Sequence, residues 1–531
     1  MVYPHPTRPA NAPYPRRVNP SANGVLVLDG RPLAIDEVVS VARRGERVAL
    51  ADDARAQVEA ARSTMLAQAR GGRALYVINT GFGSFASVRL SGGDLAQLQA
   101  NIVRSHSSGV GEPLSDDAVR ATMVVLAASL ARAKSGVRAS VIDGILAHLN
   151  AGITPIVPSR GSVGASGDLA PLAHIALALI GEGRVRVEGV SLSAAAAQQR
   201  LGVAKLELSE KEGLALLNGT HLMAGLGALA LHDADNAMLA AISGAAMALD
   251  ACRATHACLD ERIHAARAQP GQIAVARALR RLLEGSQIPA SHAENDPRVQ
   301  DPYSLRAAPQ VLGATMDSIE FARGTVEREL GAVTDNPLVF VGGSGADIVS
   351  GANFHGMPLA IALDTLKIAL SHLAGIAERR IYWALSGHDR ESHLPAHLAA
   401  HPGLESGLMV VQYAAAACCN ELRTLAYPSS VGNIPTCAGI EDYNSMGATS
   451  ALHARAAVDL CRDVVACELL VMAQGLEHQR PLRSGGGVER VHAAIRERVV
   501  PLKSDRSPSP DIAAIARMIA DGTLAHAART R

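Results

Sequence analysis

Between Gly161 and His174 the chain reads GSVGASGDLAPLAH, and at its centre stand three small neighbours, Ala165, Ser166 and Gly167, that a backbone can turn into an electrophile. If the Gly167 nitrogen attacks the Ala165 carbonyl carbon, a five-membered ring closes. Loss of water, including the Ser166 hydroxyl, then leaves an exocyclic methylene, an electron sink made without a bound coenzyme. Gly167 lacks the Cβ that would obstruct closure, Ala165 is small enough for a tight bend, and Ser166 carries the leaving hydroxyl. Asp168 and Pro171 open the next segment, with the carboxylate placed for a helix N-terminus. The glycines at 161, 164 and 167 also suit an ordinary turn or a phosphate loop, but no Lys-Ser or Lys-Thr follows, which argues against a Walker-type loop.

A reactive triplet needs a rigid frame, and the flanking sequence supplies helices. From Leu222 to Cys252 runs a long Ala- and Gly-rich pattern whose small residues let neighbours come close. In Leu359–Ile376 the larger apolar residues fall at Leu359, Leu363, Leu366, Leu370 and Leu373, a 4,3,4,3 spacing on one helical face. A similar helix spans about Ala448–Gly475, with Ala454, Val458, Cys461, Val465 and Leu469 inward. Val25–Leu33 reads as a short hairpin turning at Asp29 and Gly30, and a helical pattern follows from Asp36 to Arg70. Thr80–Gly83 breaks periodicity after a β-like stretch containing Tyr76. Gln300–Arg306 gives two turn formers and a short element, while Thr334–Phe340 and Gly351–Gly356 are loops leading to the longest helices.

Bulk composition removes several function classes. Lys plus Arg and Asp plus Glu number 50 each, so no net field draws nucleic acid or an anionic membrane, and a small polar or zwitterionic molecule is the natural partner. Aromatics are 3% and Gly numbers 48, favouring close-packed helices over a β sandwich. Seven Cys form no CxxC pair and read as reduced thiols of a cytoplasmic protein. The first 23 residues are a proline-rich arm without an apolar signal core. No uncharged apolar run reaches membrane length. His388, His393, His397 and His401 suggest a metal, but Pro395 interrupts their helix and no HExxH occurs, so no metal is expected.

The fourteen-residue string resembles the signature of the aromatic amino acid ammonia-lyases and aminomutases, which share the 4-methylideneimidazole-5-one (MIO) group. That resemblance runs from about Gly24 to the C-terminal region and implies a mainly α fold, with an MIO-bearing part (24–221) and a long-helix bundle with the C-terminal region (222–531) following the flexible proline-rich arm (1–23). It further implies an MIO formed from Ala165, Ser166 and Gly167 with no external cofactor, and a homotetramer whose sites combine three subunits. Carried over by position, Tyr76 is the base that takes the substrate β-proton, Asn218 lies beside the ring and helps hold its oxygen and the substrate, and Arg306 holds the substrate carboxylate. Tyr303 is a second lid tyrosine, Gln300 a neighbour of the ring, and Phe354 a wall of the pocket. Ser105 and His106 face the substrate side chain. Glu421, on an apolar helix where a carboxylate needs a partner, is expected to reach the site and bind imidazole or handle the amine. Ser-His at 105–106 is what the histidine-acting members carry, and Glu441-Asp442 fits them too. Val77 departs from the usual Gly, and Ile440 from their usual Gln. The implied activity is elimination of ammonia from L-histidine to give trans-urocanate. Phenylalanine or tyrosine lyase, or aminomutase, is the alternative within the same chemistry, and an inactive helical scaffold the alternative outside it.

Overall fold

A computed structural model describes residues 24–69, 95–294, 296–342 and 345–529 and is mainly helical. Near the N-terminus, β1 (Val25–Leu28) pairs in parallel with β2 (Arg47–Leu50), and α1 (Ile35–Arg43) crosses between them. The hairpin expected over Val25–Leu33 is thus replaced by a strand–helix–strand unit. Pro32 has no N–H to donate to a returning strand, and the buried Val38, Val39 and Val41 give the following segment a helical inner face instead. β2 also divides the expected helix from Asp36 to Arg70, leaving α2 (Asp52–Ala69) as its second part.

Six further helices complete this half: α3 (Leu95–His106), α4 (Asp116–Leu130), α5 (Ala139–Asn150), α6 (Leu169–Leu179), α7 (Ala194–Leu201) and α8 (Glu212–Leu217). Small sheets tie their connections. β3 (Val110–Pro113) runs antiparallel to β5 (Pro158–Arg160), and β4 (Thr154–Pro155) joins the hairpin of β6 (Arg184–Val187) and β7 (Val190–Ser193).

The second half is a bundle around α9 (His221–Ala251), of whose residues nearly all are buried. A helix apolar all round can only be central. Its small residues allow that position: a Cβ added at Gly225 would lie 3.0 Å from the Thr122 nitrogen of α4, so the two backbones meet directly. After α10 (Glu261–Arg267), α11 (Pro270–Leu282) and the one-turn α12 (Tyr303–Arg306), α13 (Ala308–Glu329) packs beside α9. The hairpin of β8 (Leu338–Gly342) and β9 (Gly345–Val349) leads to α14 (Met357–Leu385); α15 (Met409–Leu425) and α16 (Gly447–Glu477) follow. Leu359, Leu363, Leu366, Leu370 and Leu373 of α14 are all fully buried, as the 4,3,4,3 spacing predicts. Among the described residues only α14 is long and apolar enough to cross a membrane. It is mostly buried in the bundle and carries the buried pair Asp364–Lys367, 2.6 Å apart. α17 (Gly486–Arg496), α18 (Ser509–Ala520) and α19 (Thr523–Arg529) close the chain, and one apolar core runs from Leu26 to Leu524.

Candidate active site

Four helix N-termini converge on the loop Gly161–Asp168. α6 starts directly after it. α9 reaches it through Gly219, whose carbonyl accepts from Asp168 N at 2.8 Å and whose nitrogen donates to the Ser166 carbonyl at 3.4 Å. Gly356, just before α14, donates to the Gly164 carbonyl at 3.4 Å. Before α16, Met446 N donates to the Val163 carbonyl at 2.9 Å and Ser445 Oγ to the Gly164 carbonyl at 3.0 Å. The N-terminal ends of these helices put positive potential around Ala165–Gly167, where negative charge is favoured. Gly167 has φ +77°, and a Cβ there would collide with the Gly219 backbone, so only glycine fits.

Asp168 holds this arrangement together from a fully buried position. Its carboxylate was expected to serve the helix that it opens, α6; instead it caps α9, accepting from Leu222 N at 3.0 Å and Met223 N at 3.1 Å, and it accepts from Ser162 Oγ at 2.9 Å. Those donors lie across the loop, so one carboxylate locks it to the central helix. Burial pushes the Asp168 carboxyl up to about 7 despite these bonds.

Around Ser166 stand several of the expected residues. Asn218 is buried next to Gly219, and Phe354 lies in the loop that Gly356 ties to Gly164. At the end of α3, His106 Nδ1 lies 2.8 Å from the Ile102 carbonyl and 3.0 Å from Ser105 Oγ. A proton on Nδ1 satisfies that carbonyl and makes Nε2 the accepting nitrogen. Burial lowers the His106 pKa, partly offset by the Ile102 carbonyl and by the negative charge of Glu441, so the ring is neutral at neutral pH.

Glu441 is the residue that the sequence pattern noted without assigning to the site. Its Oε1 accepts from Ser166 Oγ at 2.9 Å, and its Oε2 from Thr436 Oγ1 at 2.6 Å. The Glu-Asp pair was the available signal. Glu421, expected in this place, is exposed on α15 and has no hydrogen bond to any residue of the cluster. The apolar run around it is an exposed helix face of the single chain, on the same α15 as the exposed Val410 and Tyr413.

Gln300, Tyr303 and Arg306 form a second group. Arg306 Nη2 donates to Gln300 Oε1 at 2.7 Å, its Nε donates to the Asp301 carbonyl at 2.9 Å, and its guanidinium lies 4.6 Å from the Tyr303 ring centre. Tyr303 is 73% exposed, beside an open cavity of about 450 Å³. This group sits at the other end of α9: Asp301 accepts from Thr255 N, just past Ala251, whereas Asp168 caps His221–Met223. Thirty-one helical residues separate the two by roughly 45 Å. One chain therefore does not bring Arg306 to Ser166. Tyr76 and Val77 lie outside the described residues.

Each group rests on a buried ion pair. Behind Asn218, Lys211 Nζ lies 2.5 Å from Asp335 Oδ2, with both side chains within 2% of full burial. Behind α12, Arg380 pairs with Glu468, both fully buried, and its Nη1 donates to the Ser304 carbonyl at 3.3 Å. Among the described residues no three His, Cys, Asp or Glu converge as a metal site; of the four histidines considered, His393 lies 3.3 Å from Arg253 Nη1.

Residues 33–497 match the family model described as aromatic amino acid lyase. The chain is 46% identical over 495 residues to histidine ammonia-lyase of Symbiobacterium thermophilum, covering 93% of this chain and 96% of that protein. Among solved structures it is similar to histidine ammonia-lyase from Trypanosoma cruzi, with TM-score 0.87, 36% identity and 95% of each chain covered. It is also similar to tyrosine aminomutase from Streptomyces globisporus, with TM-score 0.88 and 34% identity, covering 94% of this chain and 98% of that one.

Proposed function

The chain belongs to the aromatic amino acid lyase family, and from that premise we propose that it eliminates ammonia from L-histidine to give trans-urocanate. The observation that carries the substrate assignment is the grouping of Ser105, His106 and Glu441 against Ser166. An accepting Nε2 and a carboxylate suit the N–H groups of an imidazole, which a phenyl ring does not offer, a difference of the kind by which polar pockets discriminate.

The family's electrophile is the MIO group, built from the chain with no external cofactor, and Ala165, Ser166 and Gly167 fit it. Gly167 occupies a left-handed position that excludes a Cβ, Ala165 is buried, and the Ser166 hydroxyl donates to the Glu441 carboxylate. When formed, the group supplies an acceptor for the substrate amine, making it a better leaving group. The remaining work falls to side chains. In this reading Tyr76 takes the weakly acidic β-proton, Arg306 clamps the carboxylate in bidentate fashion, and His106 with Glu441 orients the imidazole. Asn218 touches the amine, Gln300 and Tyr303 close the site around the amino-acid end, and Phe354 walls it. The helix N-termini around the loop favour negative charge developing there.

A site needing both ends of α9 requires other copies of the chain. The exposed apolar residues Phe321 on α13, Ile361, Ile368 and Tyr382 on α14, and Val410 and Tyr413 on α15 offer a contiguous helical surface for them. We take the assembly to be a homotetramer in the cytoplasm, with residues 24–221 as the MIO-bearing part and 222–531 as the bundle. The test is incubation of the purified protein with L-histidine, L-phenylalanine and L-tyrosine, with ammonia measured and products identified. Urocanate from histidine alone supports the reading. Cinnamate, coumarate or a β-amino acid as the main product overturns the substrate assignment.

A further inference from the structure

Asn218 is held by one face only. Its Nδ2 donates to Asp335 Oδ1 at 3.4 Å and to the Asn336 carbonyl at 3.2 Å, while its Oδ1 is buried and has no partner among the described residues. Two acceptors on one side fix which end of the amide is nitrogen, because an oxygen turned that way would meet a carboxylate and a carbonyl. Asp335 is itself over-determined. Its Oδ2 takes Lys211 Nζ, its Oδ1 also accepts the Asn336 nitrogen at 2.6 Å, and it is 2% exposed.

The chain accepts unfavourable conformation to put Lys211 there. Lys211 has φ +68°, a left-handed backbone that side chains other than glycine, asparagine and aspartate avoid. It is pinned by its neighbours: Glu212 accepts from Ser209 N at 2.8 Å and from Arg138 Nε at 2.8 Å, and Gln99 Oε1 accepts from Gly213 N at 2.9 Å. A fully buried lysine at the head of a six-residue helix is a costly way to gain stability, since replacing a buried pair by apolar residues is often neutral. What the pair does supply is a fixed acceptor behind Asn218, one residue from the glycine that abuts Ser166.

We propose that Asp335, paired with Lys211, is a positioning residue that holds the Asn218 amide nitrogen inward, so that Asn218 meets the amino-acid substrate as a hydrogen-bond acceptor for its ammonium. The proposal rests on the lyase reading above. It assigns a donor, not an acceptor, as the ligand group opposite Asn218, which separates the amine from the carboxylate of a zwitterion.

The test uses the full-length protein with the pair replaced, K211M/D335L, alongside N218A and the triple variant. Replacing both charges together avoids leaving one buried alone. With the MIO-type mass and the oligomeric state unchanged, K211M/D335L is expected to lose about tenfold or more in kcat, with KM for histidine moving less than about threefold. In the N218A background the same replacement should change kcat by less than about twofold, because its effect passes through Asn218. A crystal structure of K211M/D335L should show the Asn218 side chain turned from its wild-type orientation. Wild-type kcat in K211M/D335L, an equal loss with and without Asn218, or an unmoved amide overturns the proposal. Should the wild type release no ammonia from any of the three amino acids, the lyase reading falls, and the two crystal structures still decide whether the pair positions Asn218. If K211M/D335L does not fold, D335N provides the same comparison of kinetics and Asn218 orientation.

Discussion

Glu441 and Glu421 are both glutamates on the C-terminal side of the bundle, and the single chain surrounds them differently. Glu441 accepts from Ser166 and stands within electrostatic reach of His106, whereas Glu421 faces solvent on α15. E441A is therefore expected to lower kcat about 100-fold or more, the usual scale for a group engaged with reacting atoms, and E421A to lower it as well, because α15 lies on the surface offered to other copies and a shared site brings that carboxylate in. Steady-state kinetics of the two variants decide it; wild-type kcat in E421A would remove Glu421 from the site. His221 makes a different prediction. Both its ring nitrogens are buried without partners among the described residues at the start of α9, and burial pushes its pKa from 6.5 down to about 3. The unfolded chain thus binds the proton first. His221's share of stability is complete above pH 6.5 and is lost as pH falls toward 3, at up to about 1.4 kcal/mol per pH unit. Thermal unfolding should show the wild type losing stability more steeply than H221Q between pH 6.5 and 4; parallel curves would contradict this.

At the scale of elements, Asp168 joins the reactive loop to the central helix. D168A leaves two α9 N–H groups and Ser162 without their acceptor, for an expected loss of about 2–3 kcal/mol, and D168N, which keeps a carbonyl oxygen, should lose less. Denaturant titration measures both, and equal stabilities would show that the cap is dispensable. The elements themselves were unequally legible. α9, α14 and α16 could be read because long, regular spacing of small and apolar residues leaves one packing solution, and Ala165–Gly167 could be read because its chemistry is local. β2 and its parallel pairing with β1 were missed because strands of four residues carry little periodicity and the pairing passes across α1. Glu441 was noted but not placed, since its link to Ser166 joins residues 275 apart in sequence and depends on a turn with Ala438 at φ +54°. Lys211–Asp335 left no local signal at all, because each looks like an ordinary surface charge until the fold buries it.

For the whole molecule, α9 sets the governing distance: Ser166 and Asn218 belong to one of its ends, Gln300, Tyr303 and Arg306 to the other. If sites form between copies, S166A and R306A should each be inactive alone, and co-expression should restore activity. Random mixing leaves about a quarter of sites with both residues intact. Ammonia release by the co-expressed variants measures it, and no recovery would mean that a single chain folds around its own site by another route. The central claim, that the triplet of small residues becomes an electrophile for histidine, is tested most directly by intact mass paired with turnover on one preparation. The account predicts a wild-type chain lighter than its encoded mass by two waters that converts L-histidine to trans-urocanate, and an S166A chain that lacks the Ser166-dependent loss and is inactive. A wild-type chain of full encoded mass, or S166A with undiminished deamination, would contradict it.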